Sequence, residues 1–323
     1  MPMGKTLFIA CILFVSTALK SQNFREEEVF LNSGQGDLGG VILFPESHNK
    51  KLPVVLIIQG SGPTDKDGNS AALAGKNNAL KLLAEALAAN GIASLRYDKR
   101  GIGMSRKAGK SEETLTFDDF INDASLFLDY LIEDKRFKKI GIAGHSQGSL
   151  VGMKIAQGKK VKAFASIAGP SLSIDETLKE QLKANPYNPP KLLEEANSIL
   201  ASLKSGEQVP DVSPFLQTVF RPSVQPFMIS WMQYDPTDEI SKLDMPILVI
   251  NGSTDLQVSV ADAQRLHISN PKAELVIVNG MNHVLKDSSA QPMENNATYS
   301  NPDLPLNAKF RKSVCDFFVT NLK

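Results

Sequence analysis

Gly144-His145-Ser146-Gln147-Gly148 constrains this chain more than any other stretch, because of what lies on either side of it. The run Lys139-Ile140-Gly141-Ile142-Ala143 reads as a short buried strand, and Leu150 to Ala156 reads as a helix. G-x-S-x-G between a strand and a helix is a sharp turn that presents a serine hydroxyl at the strand's tip. Such a turn forces the serine into a strained backbone conformation. Glycine is needed two residues to either side, because a Cβ there would collide where strand and helix nearly touch. Three fixed positions arise by chance in roughly one chain in ten of this length, so the flanking elements carry the inference.

The rest of the chain alternates strand and helix as that turn demands. Gly40 to Phe44 and Ile92 to Tyr97 read as strands, and Leu52 to Ile58 is a continuous apolar run suited to a strand buried on both faces. Ala79 to Ala89 places Leu80, Leu83, Ala84 and Leu87 on one helical face and closes at Asn90-Gly91. Thr116 and Asp119 make a capping-box start for a helix bearing Phe117, Phe120, Ile121, Ala124, Leu128 and Leu131. Val161 to Ile167 is a further strand. The pattern then breaks: from about Ser171 to Ile240 polar helices and a Pro-dotted stretch replace the strands. It resumes with a strand over Pro246 to Ile250, a helix over Val260 to His267, a strand over Glu274 to Val278 and a helix over Lys309 to Leu322. The expected fold class is α/β, a doubly wound, mostly parallel sheet with a helical lid insertion over about 171–240.

Lys5 followed by the apolar run Leu7 to Leu19, turning polar at Lys20-Ser21-Gln22, suits a secretory signal peptide over 1–22. The apolar core is too short to cross a bilayer as a stable helix, so no stable membrane insertion is expected after its removal. The expected organisation is that segment followed by one domain over 23–323, in a secreted or periplasmic protein. Lys plus Arg and Asp plus Glu both number 35, with no basic run, which argues against a nucleic-acid partner. Of two cysteines, Cys11 would leave with the leader, and Cys315 alone can form no intrachain disulfide or cysteine metal site.

A serine made nucleophilic needs a base within hydrogen-bond reach, and that base needs an orienting acid. There are four histidines. His145 adjoins the serine, His267 lies inside a helix, and His48 sits in a polar loop. His283 follows a strand and a Gly280-Met281-Asn282 turn at the sheet's carboxyl edge, where open α/β sheets gather functional groups. Asp255 occupies the same edge directly after the strand ending at Ile250. Asp244 precedes that strand, Asp262 belongs to the next helix, and Asp287 follows the histidine too closely.

The order Ser146, Asp255, His283 is that of α/β-hydrolases. The chain resembles that superfamily, and within it the bacterial secreted carboxylesterases whose first-strand loop reads G-S-G-P-x-D-x-D-G-N, here Gly60 to Asn69. Arg96 to Ser105, Asn251 to Val258 and Asn282 to Lys286 are further shared segments, and the resemblance is weakest over the insertion. It implies an α/β-hydrolase fold and a serine hydrolase that cleaves small-molecule carboxylic esters through an acyl-enzyme. Ser146 would be nucleophile, His283 base and Asp255 orienting acid, with no cofactor and no metal.

Donors must also face the developing oxyanion. One should be the backbone N–H of Gln147. By similarity Ser61 supplies the other, with Gly62 as the fallback, since Gln59-Gly60-Ser61-Gly62 stands where lipases carry H-G-G-G. Position alone suggests that Phe227, Met228 or Trp231 lines the acyl pocket. Asp65 to Asn69 imitates a calcium loop but has its glycine misplaced and no closing glutamate. Gly101-Ile102-Gly103 is not a dinucleotide fingerprint, because Arg106 replaces the third glycine. The alternatives are a peptidase, aminopeptidase or acyltransferase on the same scaffold, and a non-catalytic binding protein.

Overall fold

The structure is a computed structural model that describes residues 24–46 and 51–323; the expected leader over 1–22 and His48 lie outside the described residues. Eight strands form one sheet: β1 (Arg25–Asn32), β2 (Asp37–Phe44), β3 (Leu52–Ile58), β4 (Ala93–Tyr97), β5 (Phe137–His145), β6 (Val161–Ile167), β7 (Ile247–Gly252) and β8 (Glu274–Val278). Their spatial order is β1-β2-β4-β3-β5-β6-β7-β8. β2 runs antiparallel to both of its neighbours, β1 and β4, and every pairing from β4 to β8 is parallel.

Three helices follow successive strands: α1 (Ala79–Ala89) after β3, α2 (Phe117–Glu133) after β4 and α3 (Gln147–Ala156) after β5. After β6 come α4 (Ile174–Ala184), α5 (Pro190–Lys204), α6 (Gln217–Phe220), α7 (Gln225–Trp231) and α8 (Pro236–Ser241), with no strand among them. α9 (Val260–Ser269) follows β7, and α10 (Pro292–Ala297) and α11 (Ala308–Leu322) follow β8.

The centre of the sheet is buried on both faces, which is why β3 reads as a near-continuous apolar run. β3 alternates strictly: Val54, Leu56 and Ile58 join the core under α2 and α3, whereas Val55 and Ile57 join the core under α1 and α11. The expected capping box at Thr116 and Asp119 is present at the start of α2. A third, separate apolar cluster lies within the helical segment after β6, built on Leu200, Leu203, Leu216, Phe220, Met228 and Met232. That segment docks on the start of α2. Trp231 stacks on Phe117 with ring centroids 5.3 Å apart, the Ser230 hydroxyl accepts the Phe117 N–H at 2.7 Å, and Tyr234 donates to Asp118.

β3 connects to β4 on one side, and β5 lies on its other side. The carboxyl ends of β3 and β5 therefore flank a topological switch point, where the loops leaving neighbouring strands diverge and open a crevice.

Candidate active site

Ser146 stands at the tip of β5 with φ 54° and ψ −125°, a left-handed conformation that L-residues rarely adopt. The glycines that permit the turn are under measurable constraint. A Cβ on Gly144 would lie 2.3 Å from the Gly148 carbonyl oxygen, as expected for strand against helix. A Cβ on Gly148 would instead lie 2.4 Å from the Ile58 carbonyl oxygen, so this glycine serves the approach of α3 to β3. Gly60 adds a third close approach: a Cβ there would sit 3.0 Å from Ser146 Cβ.

Asp255 and His283 come together from the ends of β7 and β8. The His283 Nδ1–H donates to Asp255 Oδ2 at 2.8 Å, and both side chains are buried. Asp255 Oδ1 accepts the backbone N–H groups of Gln257 (2.8 Å) and Val258 (3.0 Å), so the carboxylate is fixed by its own loop. The two loops are knitted by backbone bonds, Thr254 N–H to the Met281 carbonyl at 3.1 Å and Ser253 N–H to the Val278 carbonyl at 3.0 Å. Gly252 makes this possible, since a Cβ there would come within 1.9 Å of the Met281 oxygen. Behind His283, Asn282 is wholly buried. It donates to Thr298 Oγ1 (2.6 Å) and Asn295 Oδ1 (3.3 Å) and accepts the Lys286 N–H (3.1 Å).

His145 completes the cluster. Its Nε2–H donates to the His283 carbonyl at 2.9 Å, and the two imidazole centroids are 4.9 Å apart. Burial, with the neighbouring His283 charge second, pushes its pKa down to about 4, so it is a neutral prop beneath the His283 backbone at ordinary pH. His267 lies apart, donating through Nδ1 to the Ala273 carbonyl. Among the described residues Ser146 Oγ makes no hydrogen bond, to His283 or to any other group.

Gln147 is the first residue of α3, so its N–H has no helical carbonyl to meet. None of the described hydrogen bonds uses the N–H of Gln147 or of Ser61. Two cavities share Ser61, Gln147 and Trp231 as a common wall. The first, of about 420 Å³, contains Ser146 and is bounded by Leu150, Leu172, Ile174 and Val258. The second, of about 460 Å³, is bounded by Lys99, Phe120 and Phe227. Trp231 thus faces both cavities and Phe227 the second. Met228 reaches neither and packs into the core of the helical segment. Spacing could have separated them: 227 and 231 share one helical face, and 228 and 232 share the other.

The imitation calcium loop is occupied by its own groups. Asp65 Oδ1 accepts the N–H of Asp67 and of Asn69, each at 2.9 Å, and Asp67 pairs with Arg96 at 2.6 Å.

Residues 73–287 match the family described as serine aminopeptidase, S33, a span that includes Ser146, Asp255 and His283 and begins after the Gly60–Asn69 loop. Esterase EstD of Thermotoga maritima is 28% identical over 269 residues, covering 82% of this chain. The chain spans 61% of the length of that curated relative. Among solved structures, Est1E from Butyrivibrio proteoclasticus superposes with a TM-score of 0.60 at 16% identity, over 91% of this chain and 98% of that one. The Pyrococcus furiosus esterase Pf2001 gives 0.58 at 16% identity, over 99% and 100%. At such identities these two establish the shared fold.

Proposed function

The chain belongs to the serine aminopeptidase S33 family of α/β-hydrolases, and on that footing we propose that it is a serine hydrolase cleaving carboxylic esters through an acyl-enzyme. The observation that carries the proposal is the buried Asp255–His283 hydrogen bond held at the same sheet edge as a strained Ser146 whose hydroxyl makes no described hydrogen bond. In this reading Ser146 Oγ attacks the ester carbonyl as its proton passes to His283 Nε2. Asp255 holds the Nδ1–H and stabilises the imidazolium. The N–H groups of Gln147 and Ser61 receive the oxyanion. His283 then protonates the departing alkoxide. A water deprotonated by the same nitrogen attacks the acyl carbonyl, and the acid leaves as the proton returns to Ser146. The mechanism requires hydroxyl and imidazole to close to hydrogen-bond distance over bound substrate, since catalytic hydrogen bonds tighten in the Michaelis complex.

Two further parts of the reading are proposals of the same standing. Helices α4 to α8 act as a lid whose Trp231 and Phe227 contact the substrate. Residues 1–22 are a leader removed on secretion, which intact-mass analysis of the exported protein would test.

The family's description makes an aminopeptidase the second reading. Such an enzyme needs an anionic group to hold the substrate's α-ammonium. The cavity that contains Ser146 has no acidic side chain among its described lining residues, and the second holds Glu112 already paired with Arg221. This favours the ester. The test is a fluorophosphonate probe with peptide mapping, beside p-nitrophenyl acetate and an aminoacyl p-nitroanilide panel. Labelling confined to Ser146, with ester turnover abolished in Ser146→Ala, is expected. A folded protein that takes no label would refute the proposal, and preference for the anilides would shift it to the second reading.

A further inference from the structure

The segment Arg96 to Ser105 is dense in charge, and almost all of that charge is spoken for. Arg96 pairs with Asp67 (2.6 Å) and Glu26 (2.9 Å). Asp98 accepts the N–H of Lys66 (2.7 Å) and of Met104 (2.8 Å). Arg100 forms a two-pronged pair with Asp123 at 2.8 and 2.5 Å. Lys99 is the exception. It is 7% exposed, and among the described residues it has no carboxylate partner. Its ammonium reaches the Gln147 Oε1 at 3.0 Å and the Gly62 carbonyl at 3.4 Å, and sits 4.5 Å above the Phe120 ring. Three N–H donors therefore meet two acceptors, leaving one donor unfilled.

A buried cation without a counter-ion is costly, and a fold that keeps one has a use for it. All four groups, Lys99, Gly62, Phe120 and Gln147, line the second cavity. The other charges facing that space are compensated, Arg100 by Asp123 and Arg221 by Glu112. The chamber is thus an aromatic and aliphatic box carrying one uncancelled positive charge. It meets the Ser146 cavity across Ser61 and Gln147, the residues proposed to hold the oxyanion. An ester has two arms diverging from its carbonyl, and two cavities diverge from this point.

We propose that the second cavity is a subsite for an anionic arm of the substrate, so that the preferred ester carries a carboxylate on its acyl or its alcohol portion, with Lys99 as counter-ion. This rests on the reading of Ser146 as the esterase nucleophile. Burial pushes the Lys99 pKa down to about 7, so the charge that recruits the anion is present below that pH and lost above it.

The test compares wild type with Lys99→Met on three esters: neutral p-nitrophenyl butyrate, mono-p-nitrophenyl glutarate with its carboxylate on the acyl arm, and 4-butyryloxybenzoate with its carboxylate on the alcohol arm. The substitution should lower kcat/KM for one charged ester about tenfold or more relative to the butyrate, and which ester responds identifies the arm. If both charged esters keep their wild-type ratio to the butyrate in the variant, the inference is overturned while the esterase reading stands. If wild type hydrolyses none of the three, both are overturned. Should Lys99→Met fail to fold, wild type alone decides. Its charged-to-neutral kcat/KM ratio should fall between about pH 6 and about pH 8.5, because His283 acts on both substrates alike and cancels. The other charged groups facing that cavity are the Arg100–Asp123 and Arg221–Glu112 pairs. A flat ratio overturns the inference.

Discussion

Gly252→Ala separates the geometry of the Asp255–His283 pair from its chemistry. The substitution touches neither residue. It puts a methyl group 1.9 Å from the Met281 carbonyl oxygen, and real Cβ contacts essentially never fall under 3.0 Å. The β7 and β8 loops must therefore part by about 1.1 Å, the difference of those two distances. The obstacle is backbone, so no rotamer change relieves it. Parting of that size breaks the 3.1 Å bond from Thr254 N–H to Met281 and stretches the 2.8 Å Asp255–His283 contact beyond hydrogen-bond length. A displacement near 1 Å at a reacting constellation costs on the order of a hundredfold in rate, and overpacking of this kind costs about 1–3 kcal/mol of stability. The assay is kcat/KM on p-nitrophenyl butyrate with a urea melt on the same sample. Gly206→Ala is the control: it introduces a strained φ of +88° with nothing within 4 Å, at the end of α5 and away from the site. It should lose about 1 kcal/mol of stability and keep its activity. Gly252→Ala with wild-type kcat/KM would refute the claim that close backbone approach positions the pair.

Three further outcomes follow from the same geometry. Asp255→Asn keeps an oxygen for the Gln257 and Val258 N–H groups but can present its amide to His283 and favour the wrong tautomer, so kcat should fall about 10³- to 10⁴-fold with little change in KM. Ser61→Ala retains the backbone donor and should hold kcat within about threefold, whereas Gly60→Ala, placing a Cβ 3.0 Å from Ser146 Cβ, should lower it on the order of tenfold or more. His145 has a folded pKa of about 4 against 6.5 in the free side chain, so the unfolded chain takes up its proton first. Its contribution to stability is complete above pH 6.5 and lost as pH falls towards 4, and urea melts of His145→Asn should show a shallower acid decline across that window.

What the sequence disclosed and what it hid divide along physical lines. β3 begins and ends where its apolar run does, because a strand buried on both faces has no freedom to be anything but apolar. β1 escaped notice because it is an edge strand: of Arg-Glu-Glu-Glu-Val-Phe-Leu-Asn only Val29 is buried, and charge there guards an open edge. α10 carries no apolar period, and the surrounding segment is secured by polar contacts, Asn295 and Thr298 to Asn282 and Lys286 to the Leu304 carbonyl. Asp255 and His283 were singled out by their place at one sheet edge, and topology sends the loops after β7 and β8 there, where the two side chains meet. His145 was passed over because its neutrality and its bond to the His283 carbonyl are products of burial. Lys99 was hidden for the same reason. An unpaired charge is defined by what does not surround it, and that requires the whole fold.

The site is accordingly as much a product of missing side chains as of present ones. Gly144 lets β5 turn into α3, Gly148 lets α3 lie on the exit of β3, Gly60 brings the β3 loop over Ser146, and Gly252 brings the Asp255 loop onto the His283 loop. In each case the partner is backbone or the serine itself, so each approach fixes a loop relative to a strand end rather than to a movable side chain. Hydrogen bonds at 2.8 Å follow only once these distances are set. The candidate site residues can sit on loops because the glycines beneath them leave the loops nowhere else to go.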